Sequence, residues 1–158
     1  MDLSFTGIFT TYPVRISVIL QLLQQNDAIR NKSPPLARQR SEKLEQDDMK
    51  GEQGVFFNVK GKGLVVLSGC AHRGIVNTVK QAQKSAGTDK IHAIMGGFHL
   101  ITAKPEVIQS TVADIKAMKP DYIVPTHCTG FRTMVAFSRE MPNEFILNTA
   151  GTRYTFTA

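Results

Sequence analysis

Leu64-Val65-Val66-Leu67 runs directly into Ser68-Gly69-Cys70-Ala71-His72. A short apolar run bounded by glycine and small polar residues reads as a buried strand with a turn at its end. The pattern returns twice. Ile91-His92-Ala93-Ile94-Met95 leads into Gly96-Gly97-Phe98-His99, and Tyr122-Ile123-Val124 into Pro125-Thr126-His127-Cys128. Three of the four histidines thus stand just past the ends of predicted strands. In an α/β sheet the carboxyl ends of neighbouring strands open on one crevice, where such folds place their chemistry. Imidazole is the commonest side-chain metal ligand, so the three tips predict part of a metal site.

Working outward, Gly74 to Ala86 reads as a helix with Ile75, Val76, Val79 and Ala82 inward, capped by Gly87. Pro105 opens a second helix running to Met118, with Val107, Ile108, Val112 and Ile115 inward. Phe131 to Arg139 predicts a third helix, stopped before Pro142. Val55 to Val59 and Leu64 to Leu67 predict a hairpin around Lys60-Gly61-Lys62-Gly63. Phe145 to Leu147 and Arg153 to Phe156 predict a closing pair of strands. The alternation of strands and helices predicts an α/β fold.

The beginning of the chain differs in character. Val14 to Arg30 predicts a helix with a broad apolar face built on Ile16, Ile19, Leu20 and Leu23, ended by the prolines at 34 and 35. Arg38 to Asp48 is densely charged and predicts an exposed helix or a linker. The division expected is an atypical segment over 1–47 and a domain over 48–158.

Hydrophobic residues make up 42% of the 158 and charged residues 20%, the balance of a globular chain rather than a disordered one. The net charge of +6 is scattered, and no nucleic-acid-binding motif accompanies it. The charge favours small anionic ligands and argues against a nucleic-acid partner. No apolar stretch approaches the roughly 20 residues of a membrane span. The acidic start at Met1-Asp2 lacks a secretory pattern, and two cysteines do not make a disulfide framework. Both features predict a cytoplasmic setting.

His92 lies within its strand, which predicts packing or edge exposure rather than chemistry. Cys70 and Cys128 are either soft zinc ligands or small side chains packed at tight strand ends. The glycines at the tips, Gly97 among them, permit close approach of backbone or ligand. Thr126 and Thr129 flank His127, placed to hold its ring, to meet a substrate oxygen or to cap the next helix. The amides around Gly74 offer a place for an anion at a helix start.

Taken in order, Gly63 to Thr78, Gly96 to Leu100 and Pro125 to Gly130 resemble the carboxyl-terminal half of a metallo-β-lactamase-fold group. That group is the dihydropterin–ribofuranosylaminobenzene phosphate synthase-like proteins of archaea and bacteria. Glu52-Gln53 fits the likeness as well, which runs from about Asp48 to Gly151. The resemblance implies half of an αββα sandwich with one or two divalent ions, usually zinc, at the sheet edge. It makes His72 and His127 metal ligands and His99 a catalytic or ligating residue. Cys70, Gly97, Thr126, Cys128 and Thr129 become candidate substrate contacts.

One departure is large. The superfamily's His-x-His-x-Asp-His motif is absent, and nothing before His72 is a histidine. The expectation is therefore a metal-dependent hydrolase-like protein acting on a small anionic or phosphorylated, pterin-related substrate, with an incomplete ligand set. A companion amino-terminal half or a homodimer partner would complete it. The competing expectation is a non-catalytic, truncated half-domain that serves as a binding module.

Overall fold

A computed structural model describes residues 15–19, 37–40, 43–46, 49 and 51–157. A five-stranded sheet is built from β1 (Arg15–Ile19), β4 (Gly54–Val59), β5 (Gly63–Ser68), β6 (Ile91–Gly97) and β7 (Tyr122–Thr126), in that spatial order. β2 (Ala37–Arg40) and β3 (Lys43–Gln46) pair as a separate two-stranded antiparallel sheet. The helices are α1 (Ile75–Ala86), α2 (Pro105–Ala117) and α3 (Phe131–Glu140).

β4 and β5 are antiparallel, joined by the tight turn expected at residues 60–63. From β5 onward the sheet is parallel: β5 pairs with β6, and β6 with β7. Parallel neighbours need a crossover, which α1 and α2 supply. Because β5, β6 and β7 run the same way, their carboxyl ends lie on one edge.

Side chains alternate across the sheet, and each face has its own core. Phe56, Leu64, Val66, Ile94 and Ile123 meet Ile75, Val76, Val79, Ile108, Val112, Ile115 and Phe137 of the helices. Phe57, Val59, Val65, Ala93, Met95 and Val124 form the second core, against which Ile146, Tyr154 and Phe156 pack. Gly87 closes α1 in the left-handed conformation, its amide bonded to the Gln83 carbonyl.

Three expectations need correction. The start of the predicted amino-terminal helix is strand β1, antiparallel to β4 with Ile16 opposite Phe57. Ile16 and Val18 are β-branched and alternate with Ser17, and the free edge of β4 gives their backbone a ladder to complete. The rest of that segment, residues 20–30, lies outside the described residues. In the charged stretch, residues 37–40 and 43–46 are not helix but the antiparallel strands β2 and β3, whose register sets Arg38 opposite Glu45. The closing strands reduce to one bridge between Ile123 and Phe145. The chain from Arg153 to Phe156 is irregular and is held by packing of its aromatic side chains on the second core. Among the described residues no helix is long and apolar enough to cross a membrane.

Candidate metal centre

The three tips meet, and each pair is tied separately. The first and second tips are joined by the Gly97 amide, which donates to the Gly69 carbonyl at 3.1 Å. The His72 and His99 rings lie with centroids 4.3 Å apart, inclined at 52°. The second and third are joined by the Leu100 and Ile101 amides, both donating to the Cys128 carbonyl at 3.1 and 3.2 Å. The Phe98 amide donates to Thr129 Oγ1 at 3.1 Å. The first and third meet through Cys70 Sγ, 3.5 Å from His127 Nδ1, and through the Cys128 thiol, which reaches the Cys70 carbonyl at 3.6 Å.

Two glycines make the approach possible. A Cβ on Gly96, which sits at φ 118°, would stand 2.0 Å from the Ser68 carbonyl oxygen. A Cβ on Gly97 would stand 2.4 Å from the Gly69 oxygen and 2.8 Å from Cys128 Sγ. The residues beside them are strained. Ala71, His99 and His127 hold φ of 50°, 49° and 49°, one left-handed non-glycine residue in each tip. Such backbone costs about 1–3 kcal/mol per residue and gathers where surrounding structure must aim a side chain.

Glu52, at the entry to β4, organises the first tip. Its Oε1 accepts from the His72 amide at 2.6 Å and lies 2.7 Å from His72 Nδ1, while Oε2 accepts from the Arg73 amide at 2.9 Å. The carboxylate is 9% exposed. It therefore takes the place foreseen for a bound anion near the start of α1, where the helix dipole favours negative charge. The Gly74 amide is itself engaged by the Ala71 carbonyl at 2.8 Å. A carboxylate on one imidazole nitrogen fixes the tautomer and leaves Nε2 for a ligand, the arrangement found behind metal-bound histidines.

His99 is half-buried. Burial, and next the neighbouring His72, push its imidazole below its ordinary pKa; Glu52 pulls the other way and His127 adds to the depression. A lowered pKa keeps the ring neutral at pH 7, the form that can ligate a cation. The Cys128 thiol is pushed up to about 11, mainly by burial, against a lowering hydrogen bond from the His99 backbone. His127 is exposed and Cys70 half-buried, so the cluster opens to solvent.

The remaining sequence candidates separate by surroundings. Thr129 is 0% exposed; its hydroxyl donates to the Thr126 carbonyl of its own tip at 2.6 Å and accepts from the Phe98 amide of the second, and it does not cap α3. Gly97 is buried under Gly69 and Cys128. Thr126 stays half-buried at the end of β7. Of packing and edge exposure, His92 shows packing: its ring stands edge-on to Tyr122 and Phe156, and its Nδ1 lies 2.6 Å from Asp121 Oδ2. It borders an open cavity of about 360 Å³ that the three histidine tips do not line. Sequence reasoning gave Glu52 no role. The signal for one was an acid set immediately before a strand that pairs back onto the histidine-bearing one.

The donor set suits a divalent cation: three imidazoles, one braced by a carboxylate, and two thiols gathered at one sheet edge. This helix-backed sheet, with histidines and cysteines on the tips of its parallel strands, has the metallo-β-lactamase fold. In agreement, the chain superposes on the crystal structure of a metal-dependent hydrolase of the β-lactamase superfamily. The TM-score is 0.73 at 24% identity, over 97% of this chain and 60% of that one. In sequence it is 41% identical over 99 residues to the 7,8-dihydropterin-6-methyl-4-(beta-D-ribofuranosyl)-aminobenzene-5'-phosphate synthase of Methanocaldococcus jannaschii, covering 63% of this chain and 33% of that protein. An uncharacterized protein of the same organism is 31% identical over 97 residues, covering 61% of this chain and 34% of that protein. The chain thus spans about a third of the length of the curated relatives it matches. No family model matches the sequence.

Proposed function

We propose that this chain carries a metal-dependent centre for hydrolase-type chemistry on a small anionic or phosphorylated substrate of pterin-related structure. The observation that carries the reading is the meeting of the three tips, where His72 is braced through Nδ1 by Glu52, its ring lies 4.3 Å from that of His99, and His127 stands 3.5 Å from Cys70 Sγ. A catalytic zinc site usually takes three protein ligands and keeps one further position open, and the tips supply imidazoles and thiols to choose from. His72 and His127 act as ligands, and His99, neutral and between them in charge coupling, ligates or orients the substrate. A bound divalent cation supplies Lewis-acid polarisation of a substrate oxygen and acidifies water at neutral pH. The net charge of +6 favours an anionic substrate over a cationic one. Any further ligands of a two-ion centre come from a companion half or a second copy of the chain. The likeness to the pterin-related synthase supports the substrate class, and the β-lactamase-superfamily neighbour supports the reaction class.

The test is turnover by the zinc-loaded protein on aryl phosphates, phosphodiesters and lactones. The reading expects turnover that disappears with a chelator, returns with zinc and is lost in His99→Ala. A zinc-loaded chain inert toward all three classes would favour the binding-module alternative.

A further inference from the structure

We propose that Cys70 and Cys128 are thiolate ligands which, with His127, bind a soft or borderline divalent cation at this edge. The inference rests on the metal-centre reading and extends it from imidazole to sulfur.

The geometry comes first. The donor atoms of Cys70, His127 and Cys128 all lie within 4.8 Å of one another. Around a tetrahedral zinc, with Zn–S about 2.3 Å and Zn–N about 2.0 Å, ligand atoms stand roughly 3.5–3.8 Å apart. Cys70 Sγ and His127 Nδ1 are already at 3.5 Å.

Space is the second argument. Cys128 Sγ occupies the gap that any side chain at Gly97 would need, 2.8 Å from an added Cβ. That gap exists only because residue 97 has no side chain. Around the two sulfurs lie the His127 ring, the Cys70 carbonyl and the His99 amide, which is not the apolar lining of a packing cysteine. Both thiols are half-buried, so a cation can enter from solvent.

The third argument is strain. Ala71 stands between Cys70 and His72, and His127 directly precedes Cys128; both hold left-handed backbone. The strained positions thus adjoin both sulfurs as well as the histidines. Two thiolates and an imidazole favour zinc over magnesium, calcium or manganese, which prefer oxygen ligands.

Cobalt substitution in the reduced, metal-free protein reads sulfur ligation directly. Saturating Co²⁺ should produce a sulfur-to-cobalt charge-transfer band in the near ultraviolet. Cys70→Ser and Cys128→Ser should each lose about half of it, the double variant all of it, and each should bind zinc at least about tenfold more weakly. His72→Ala should bind more weakly yet retain the band when saturated. X-ray absorption of the zinc-loaded wild type needs no variant and guards against misfolded ones: sulfur scatterers at about 2.3 Å are expected. A bound ion with only nitrogen and oxygen neighbours overturns the sulfur assignment and leaves the histidine centre standing. Failure to bind either ion overturns both.

Discussion

The Glu52 carboxylate holds His72 twice, at ring Nδ1 from 2.7 Å and at the backbone amide from 2.6 Å. One acid thereby sets both the ring orientation of a candidate ligand and the path of the tip that carries it. Partners of this kind behind metal-bound histidines are usually worth about 10–100-fold in metal affinity. Glu52→Gln should weaken zinc binding by about that factor, measured by competition with a chromophoric chelator. Affinity equal to wild type would mean that the pair serves folding alone.

Glu52→Ala should also destabilise the domain, because the amides of His72 and Arg73 lose their acceptor. Leaving part-buried donors unsatisfied costs about 1–3 kcal/mol each. Urea denaturation should show a lowered midpoint with unchanged slope.

Gly97→Ala should force the tips apart, since its Cβ would press on the Gly69 carbonyl and on Cys128 Sγ. Overpacking of this sort costs about 1–3 kcal/mol. Gly96→Ala should be worse, combining φ 118° with a 2.0 Å clash against the Ser68 carbonyl. Gly61→Ala is the control: it shares a positive φ but meets nothing within 4 Å. Thermal melts should rank Gly96→Ala as most damaging, then Gly97→Ala, with Gly61→Ala mildest.

Thr129→Val keeps the shape and removes the acceptor for the Phe98 amide. The cost should be about 1–3 kcal/mol of stability. KM for any substrate found should stay near wild type in the folded variant. A large rise in KM without loss of stability would make Thr129 a substrate contact.

Cys128 should be slow to alkylate in the metal-free protein. Burial lifts its pKa to about 11, so below that pH the thiol form dominates. At pH 8 iodoacetamide should modify it on the order of a hundredfold more slowly than an ordinary exposed thiol, because only the thiolate attacks. The rate should climb about tenfold per pH unit until it levels near the raised pKa. A plateau already at pH 9 would contradict the assigned environment.

The parallel half of the sheet was readable because three β-branched runs each end in glycine or proline beside a histidine, with amphipathic helices between. Their direction follows from the crossovers, so the meeting of His72, His99 and His127 at one edge was legible too. Glu52 was not. Its place depends on the antiparallel register that sets Gly54 opposite Ser68 and so returns residue 52 to the tip beyond β5. No local periodicity encodes a partner twenty residues away. The cysteine cluster was open between two readings, because the distance from Cys70 to Cys128 depends on the Gly97 gap. At β1, a stretch of apolar residues suits either a helix face or a strand, and pairing with β4 decides for the strand.

The most direct measurement is metal content per chain of the purified, monodisperse protein beside His72→Ala and His127→Ala. The account predicts at least one divalent ion per chain in the wild type and substoichiometric metal in both folded variants. A well-folded wild type that retains no metal after incubation with zinc, or variants that hold as much as the parent, would contradict it.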